Sequence, residues 1–355
     1  MSPHNRNELL ESIATTVADY RQGEIPPITP DHVERWAQQF DDEDQHTILT
    51  ELNHVLKRYY ISRSRAEHFI NGLLSKEEIF GTDPAKGVTG TKFLQIQRKG
   101  NSQNEIVSLV GEQIRNKYGV DIEDCGGTPD TYLYLDDCLF SGNTARYDID
   151  AWLPNAESSK TLHLAFFAIY SRGSDYLFKS LQPTLRQKNI RMRRWCMKRF
   201  DNTPWETQKY ECLWPKAIDG DEQVDHYVNE LRRRIEGKPF TPRVFRPDRV
   251  PMSETLFSSP AARDIVERVF LKKGAYIVSL SDNPKAEMRP LGYEYLESLG
   301  FGSLFVTYRN IANNCPLVLW WGDPEAEASH PLSKWYPLFP RKVNEPSVVD
   351  EFIDF

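Results

Sequence analysis

Two adjacent carboxylates, Asp136 and Asp137, follow the apolar run Tyr132-Leu133-Tyr134-Leu135. Three apolar residues further on comes a small polar loop, Ser141-Gly142-Asn143-Thr144-Ala145. Each part has its own chemistry. Paired carboxylates at a strand end can accept hydrogen bonds from neighbouring hydroxyls. A loop of hydroxyls, a glycine and an amide that opens a helix offers backbone N–H groups to a phosphate, aided by the positive end of the helix dipole. Gly142 lets the backbone come close to it. Together the two parts suit a phosphorylated sugar. The plainer alternative is a strand running into a turn, with Asp and Ser present because turns favour them. A P-loop is excluded because GxxxxGK[ST] does not occur, and a dinucleotide fold because no GxGxxG follows the strand.

A second candidate loop lies upstream in "FLQIQRKGNSQNEIVSLV", where Arg98, Lys99, Gly100, Asn101 and Ser102 stand between a short apolar run and a helical pattern. Cations and backbone N–H groups there can hold another anionic group. The alternative is a solvated basic turn.

The elements that must position these loops alternate. "KFLQIQ" predicts a strand, "EIVSLVGEQIRNKYG" a helix ending at Gly119, "YLYL" a strand, "NTARYDIDAWL" a helix, and "TLHLAFFAIY" a buried parallel strand. "DYLFKSLQPTLRQK" predicts a helix broken or kinked at Pro183, and "NIRMRRWCMKRF" an extended segment. Strands alternating with helices imply an α/β fold with a mostly parallel sheet flanked by helices. Before this region, Val33, Trp36 and Phe40, then Ile48, Leu52, Val55 and Tyr59, keep helical spacing, with Asp31 and Glu34 read as a capping box. "SRAEHFINGLL" adds a helical stretch, and "FGTDPAKGVTGT" reads as a loop. Beyond residue 205, a helix through Val224, Tyr227, Leu231 and Ile235 and another over 260–273 precede "AYIVSL", "GFGSLFVTY" and "CPLVLWWG", read as strands of a β-rich extension. The expected division is an N-terminal helical region (1–85), a core (86–204) and a C-terminal α+β extension (205–355).

"YLYLDDCLFSGNTA" resembles the PRPP-binding motif of type I phosphoribosyltransferases: four apolar residues, two acids, a short apolar stretch, then Thr/Ser-Gly-x-Thr. The resemblance implies a phosphoribosyltransferase-like core. Asp136 and Asp137 are then the catalytic pair on the ribose hydroxyls, Ser141 to Ala145 hold the 5′-phosphate, and Arg98 to Ser102 hold the pyrophosphate. It also implies PRPP or a related phosphoribosyl nucleotide as ligand, Mg²⁺ brought in by PRPP, and substitution at ribose C1. Phe140 stands where 6-oxopurine salvage enzymes carry a carboxylate, so hypoxanthine or guanine is not the expected base. "VDIEDCGGTPDT" replaces the long mobile loop of familiar members, so the hood over the site must come from elsewhere. The N-terminal helices and the C-terminal "RPLGYEYLESLGFGSLFVTYRNIANNCPLVLWWG" and "WYPLFPR" resemble divergent phosphoribosyltransferase-like proteins of bacterial conflict and anti-phage systems. That likeness implies a defence effector or toxin with a partner protein. A non-catalytic PRPP sensor is the alternative.

The remaining candidates are weaker. Asn313 and Asn314, in a turn between apolar runs, can read a base edge or simply shape the turn, and with Phe140 they form the candidate acceptor side. Arg186 to Arg199 holds seven cations and no acid; it can contact a nucleotide or RNA acceptor, or guard a sheet edge. His163 sits in an apolar run and reads as a core residue. The net charge of −7 gives no general nucleic-acid signature. Five cysteines without a CxxC pair indicate neither a disulfide framework nor a zinc site. No apolar run is long enough to span a membrane and the N-terminus is polar, so a cytoplasmic protein with no dedicated metal site is expected.

Overall fold

A computed structural model describes residues 3–98, 100–205, 207–238, 243–281, 284–285 and 287–342. In chain order the helices before the sheet are α1 (Pro3–Thr16), α2 (Pro30–Ala37), α3 (Asp42–Tyr59), α4 (Arg63–Leu73), α5 (Glu77–Phe80) and α6 (Pro84–Thr89). The sheet region follows as β1 (Thr91–Leu94), α7 (Ser102–Tyr118), β2 (Thr131–Leu139), α8 (Asn143–Trp152), β3 (Thr161–Tyr170), α9 (Ser171–Gln187) and β4 (Arg191–Phe200). Among the described residues after it come the α-helices α10 (Glu222–Ile235), α11 (Pro260–Ser279) and α12 (Leu317–Trp320).

Contacts divide the chain into two compact units. One holds Arg63–Thr203; the other holds the chain up to Ser62 together with Pro204–Lys342.

The Arg63–Thr203 unit carries a four-stranded parallel sheet in the order β1-β2-β3-β4. Thr131 of β2 pairs with Thr91 and Thr161, and Thr161 pairs with Arg191, so all four strands start level and point their carboxyl ends the same way. On one face Tyr132, Tyr134, Leu162, Leu164 and Phe166 pack against Ala145, Ile149, Leu177, Leu181 and Leu185 of α8 and α9. The residues between them, Leu133, Leu135, His163 and Phe167, are buried as well. Phe69 of α4 meets Phe167 edge-on at 5.9 Å. Burial on both faces accounts for the near-continuous apolar runs of β2 and β3. Pro183 does not break α9; the helix runs through it to Gln187. The expected loop before β1 contains the short α5 and α6, the latter capped by Asp83.

In the other unit the cap of α2 is Thr29, whose hydroxyl accepts the His32 N–H, with Pro30 at the first helical position; Asp31 lies inside the first turn. Trp36 is fully buried and donates its indole N–H to the Val318 carbonyl at 2.8 Å. Tyr20 packs edge-on against Phe339.

The β-rich reading of the C-terminal extension is overturned. "AYIVSL" is the last stretch of α11: Val266, Val269, Phe270, Ala275, Ile277 and Val278 are all buried on that one helix. A short apolar run does not by itself distinguish a buried helix from a strand. "GFGSLFVTY" is irregular apart from single bridges of Val306 to Ile311 and Thr307 to Ile61. Its backbone is spent on loop contacts, with Leu213 N–H donating to the Gly302 carbonyl and Gly302 N–H to that of Leu291. "CPLVLWWG" holds the one-turn α12 after Pro316.

Candidate functional site

Asp136 and Asp137 lie within the last residues of β2. β1 ends at Leu94, opposite Tyr134, so β2 runs on from Leu135 to Leu139 without that neighbour. The two carboxylates satisfy local backbone donors: Asp136 Oδ1 accepts Asp137 N–H at 2.8 Å, and Asp137 Oδ1 accepts Cys138 N–H at 2.7 Å. Asp136 is buried and Asp137 half-buried. These bonds fix the carboxylates at the carboxyl end of the sheet, where open α/β sheets bind ligands.

The loop after β2 is shaped by backbone packing. Gly142 takes φ 82°, a left-handed conformation, and precedes α8 as its N-cap. A Cβ on Gly142 would meet the Gly173 carbonyl oxygen at 2.5 Å, and one on Gly173 would meet the Phe140 carbonyl oxygen at 1.8 Å. The loop therefore lies directly on the first turn of α9. α8 has no side-chain cap hydrogen bond, although Asn143 N–H leans on Ser141 Oγ at 3.4 Å. Its first turn presents backbone donors suited to an anion. Thr144 is exposed, whereas the Ala145 side chain is in the core, so Ala145 can offer only its backbone.

The loop after β1 is tied down by residues that sequence reasoning missed. Gln103, fully buried in the first turn of α7, accepts the N–H groups of Ile96 at 2.6 Å and Gln97 at 2.9 Å. Gln97 reciprocates: its Oε1 accepts Gln103 N–H at 2.9 Å and its Nε2 donates to Ser102 Oγ at 2.9 Å. Asn101 is the N-cap residue of α7 but makes no side-chain cap; its amide donates to Glu105. Arg98 and Gly100 are exposed, and Lys99 lies outside the described residues.

Asp148 joins the two loops. Its Oδ1 accepts the Arg98 backbone N–H at 3.0 Å and its Oδ2 the Tyr134 hydroxyl at 3.4 Å. It is 2% exposed. Burial pushes its carboxyl above the usual aspartate range, against the pull of Arg98 and Tyr134. The available signal was an acid on the apolar face of α8, three residues from Ala145 and next to Ile149. Gly173 had a weaker signal, a glycine just after a strand.

Phe140 has a structural occupation. Its ring stacks on Tyr170 at 5.5 Å and 20°, and Tyr170 stacks on Phe200 at 5.0 Å and 16°. One aromatic row thus crosses the ends of β2, β3 and β4. Beside it the Asn202 side-chain Oδ1 accepts Arg172 N–H at 3.0 Å and so satisfies a first-turn donor of α9.

Asn313 and Asn314 belong to the other unit, where Asn314 Nδ2 donates to the Tyr293 carbonyl at 3.0 Å and Tyr293 N–H donates to the Asn313 carbonyl at 2.8 Å. These bonds shape a turn. His163 is buried and accepts the Trp195 indole N–H on Nδ1 at 2.8 Å; burial, then Arg193, lowers its pKa to about 4. That is the core role expected of it. Among the described residues no three His, Cys, Asp or Glu side chains are grouped to hold a metal ion, and no helix is long and apolar enough to cross a membrane.

Parallel strands, an acid pair and two loops that open helices thus lie at one end of the sheet. No curated protein and no solved structure matches the chain. Residues 33–341 match the model of the PRTase-CE family. The match includes parts of both units, and the chain is a member of the PRTase-CE family, a phosphoribosyltransferase-like α/β protein.

Proposed function

We propose that the chain is a cytoplasmic PRPP-dependent phosphoribosyltransferase-like effector of a bacterial defence or conflict system. The observation that carries this reading is the Arg98–Asp148 bond, which holds the loop after β1 against the helix that opens with the Ser141–Thr144 loop. An anion on each loop then has the Asp136–Asp137 carboxylates beside it for ribose hydroxyls. In the transfer, the bond from ribose C1 to pyrophosphate breaks, and pyrophosphate leaves with the electron pair. A nucleophile of the acceptor, a base, nucleotide or RNA, bonds to C1 and gives its proton to solvent. The residues contribute position and charge: donors for the leaving pyrophosphate around Arg98 to Ser102, and carboxylates beside the ribose as positive charge develops. Mg²⁺ would be held by PRPP oxygens and water with few protein ligands, which suits a site whose acids are already engaged by backbone donors. Bound there, it would neutralise charge on the pyrophosphate.

A second reading is favoured by Gln97, whose side chain takes the Gln103 N–H at the start of α7. With that donor occupied, the pocket would bind PRPP without turning it over, and the protein would sense PRPP for a partner. The test is thermal protection by PRPP with Mg²⁺, followed by pyrophosphate release with candidate bases, nucleotides and RNA. Protection and release that are both lost in Asp137→Asn support the transferase. Protection without release by any acceptor supports the sensor. Absence of protection defeats both. Phage challenge of cells carrying the wild type or the Asp136→Ala/Asp137→Ala variant tests the defence role, which fails if both protect equally.

A further inference from the structure

The densest positive charge in this acidic chain lies away from the acid pair, along the end of α9 and β4, with Asp175 3.8 Å from Arg194 and Asp201 4.0 Å from Arg199. Arg186 to Arg199 holds seven cations and no acid in a chain of net charge −7. β4 is the last strand of the sheet, so among the described residues its outer edge pairs with no further strand. Arg191, Arg193, Arg194 and Arg199 are exposed, with Met192, Trp195 and Cys196 half-buried between them. Two clefts open here. One of about 340 Å³ is lined by Phe178, Met192, Arg193, Arg194 and Trp195. The other, about 460 Å³, includes Lys160, Arg186 and Arg191 in its lining. In the first, the Arg194 guanidinium lies 4.1 Å over the Phe178 ring, donates to Ser174 Oγ at 2.6 Å and stands 3.8 Å from Asp175.

Charge on an edge strand guards against aggregation. That role needs neither clefts nor half-exposed ring and thioether surface between the cations. A chain of phosphates carrying flat rings needs both: cations at intervals for the backbone, and apolar or guanidinium faces on which bases stack. Bases can stack on these half-buried faces only when they are unpaired and splayed out, which points to a single strand.

We propose that the open edge of β4 is a binding track for a single-stranded polynucleotide, with phosphates on Arg191, Arg193 and Arg199 and a base against Phe178 and Arg194. Because β4 is parallel to the other strands, the track ends at the end of the sheet that carries Asp136 and Ser141. The track does not depend on the PRPP reading; only the delivery of an acceptor to that site does.

The test is fluorescence anisotropy of the full chain with fluorescein-labelled 20-nucleotide single-stranded RNA and DNA. Saturable binding is expected, falling about 20-fold between 50 and 200 mM salt if three phosphates are engaged. Binding of RNA, of DNA or of both supports the track and identifies its sugar. The Arg191→Glu/Arg193→Glu/Arg199→Glu variant should bind at least 10-fold more weakly, and the corresponding triple Lys variant nearly as wild type. If the Glu variant does not fold, the triple Gln variant replaces it. Phe178→Ala should weaken binding several-fold without changing the salt slope. Asp137→Asn should bind polynucleotide as wild type, so failure of the PRPP reading leaves this result intact. The proposal is overturned if neither single strand binds at 50 mM salt, if the charge-reversed variant binds as wild type, or if a duplex of equal length binds as tightly. Displacement of the RNA by an acidic peptide of comparable affinity would overturn it in favour of a protein partner.

Discussion

Asp148, on the buried face of α8, accepts the backbone N–H of Arg98 at 3.0 Å, fifty residues upstream in sequence. One carboxylate thereby sets the position of one candidate anion loop relative to the helix that follows the other. Asp148→Ala leaves the Arg98 N–H and Tyr134 hydroxyl without this acceptor and should cost about 1–3 kcal/mol. Asp148→Asn keeps an acceptor oxygen and should cost less. Urea denaturation measures both, and protection by PRPP should fall further in the Ala variant. The sign of the pH effect follows from the raised folded pKa. As pH falls through that value, the folded state takes up a proton before the unfolded chain does, so this group adds stability on acidification. The Asn variant should lack that gain.

His163 has the opposite sign. Its folded pKa of about 4 lies below the unfolded value of 6.5, so its contribution is complete above pH 6.5 and is lost as pH falls towards 4. The loss should reach about 3 kcal/mol. His163→Asn, which can still accept the Trp195 N–H, should remove it. Urea midpoints at pH 7 and pH 5 for both proteins check this.

Gly173→Ala places a methyl group 1.8 Å from the Phe140 carbonyl oxygen, so loop or helix must move. A cost of about 3 kcal/mol is expected. Thermal melting would show it, and an unchanged midpoint would mean that the loop does not lie on α9 in this way.

Glu267 is fully buried between two arginines, 2.9 Å from Arg263 and 2.8 Å from Arg246, and accepts the Trp214 N–H at 3.0 Å. Glu267→Gln removes the negative charge the two buried guanidiniums share, leaving Arg263 with Glu254 alone and Arg246 with Asp264 alone, and should cost about 1–3 kcal/mol. Chemical denaturation checks it.

The sheet was legible because its central strands, β2 and β3, are apolar on both faces and its helices keep a helical period; β2, α8 and β3 follow their sequence patterns closely. The acid pair and the Ser141–Thr144 loop were legible because local spacing alone defines them. What escaped was non-local. Gln97, Gln103 and Asp148 are polar residues whose partners are backbone groups brought near by the fold, and no spacing announces such bonds. Phe140 could be marked as unusual, but its stacking on Tyr170 and Phe200 depends on three strands ending together. The C-terminal segment misled because a buried helix and a buried strand share the same apolar composition, as α11 shows at Ala275 to Val278.

The division of the chain sets an order of assembly during synthesis. The described residues of the α/β unit have all emerged once Thr203 has, while α1 to α3 still lack Val318 for the Trp36 indole and Phe339 for the Tyr20 ring. Domains fold as units as the chain is made. Trp36 and Tyr20 therefore find these partners late, and the phosphoribosyltransferase-like sheet can form while the helices that precede it are still waiting.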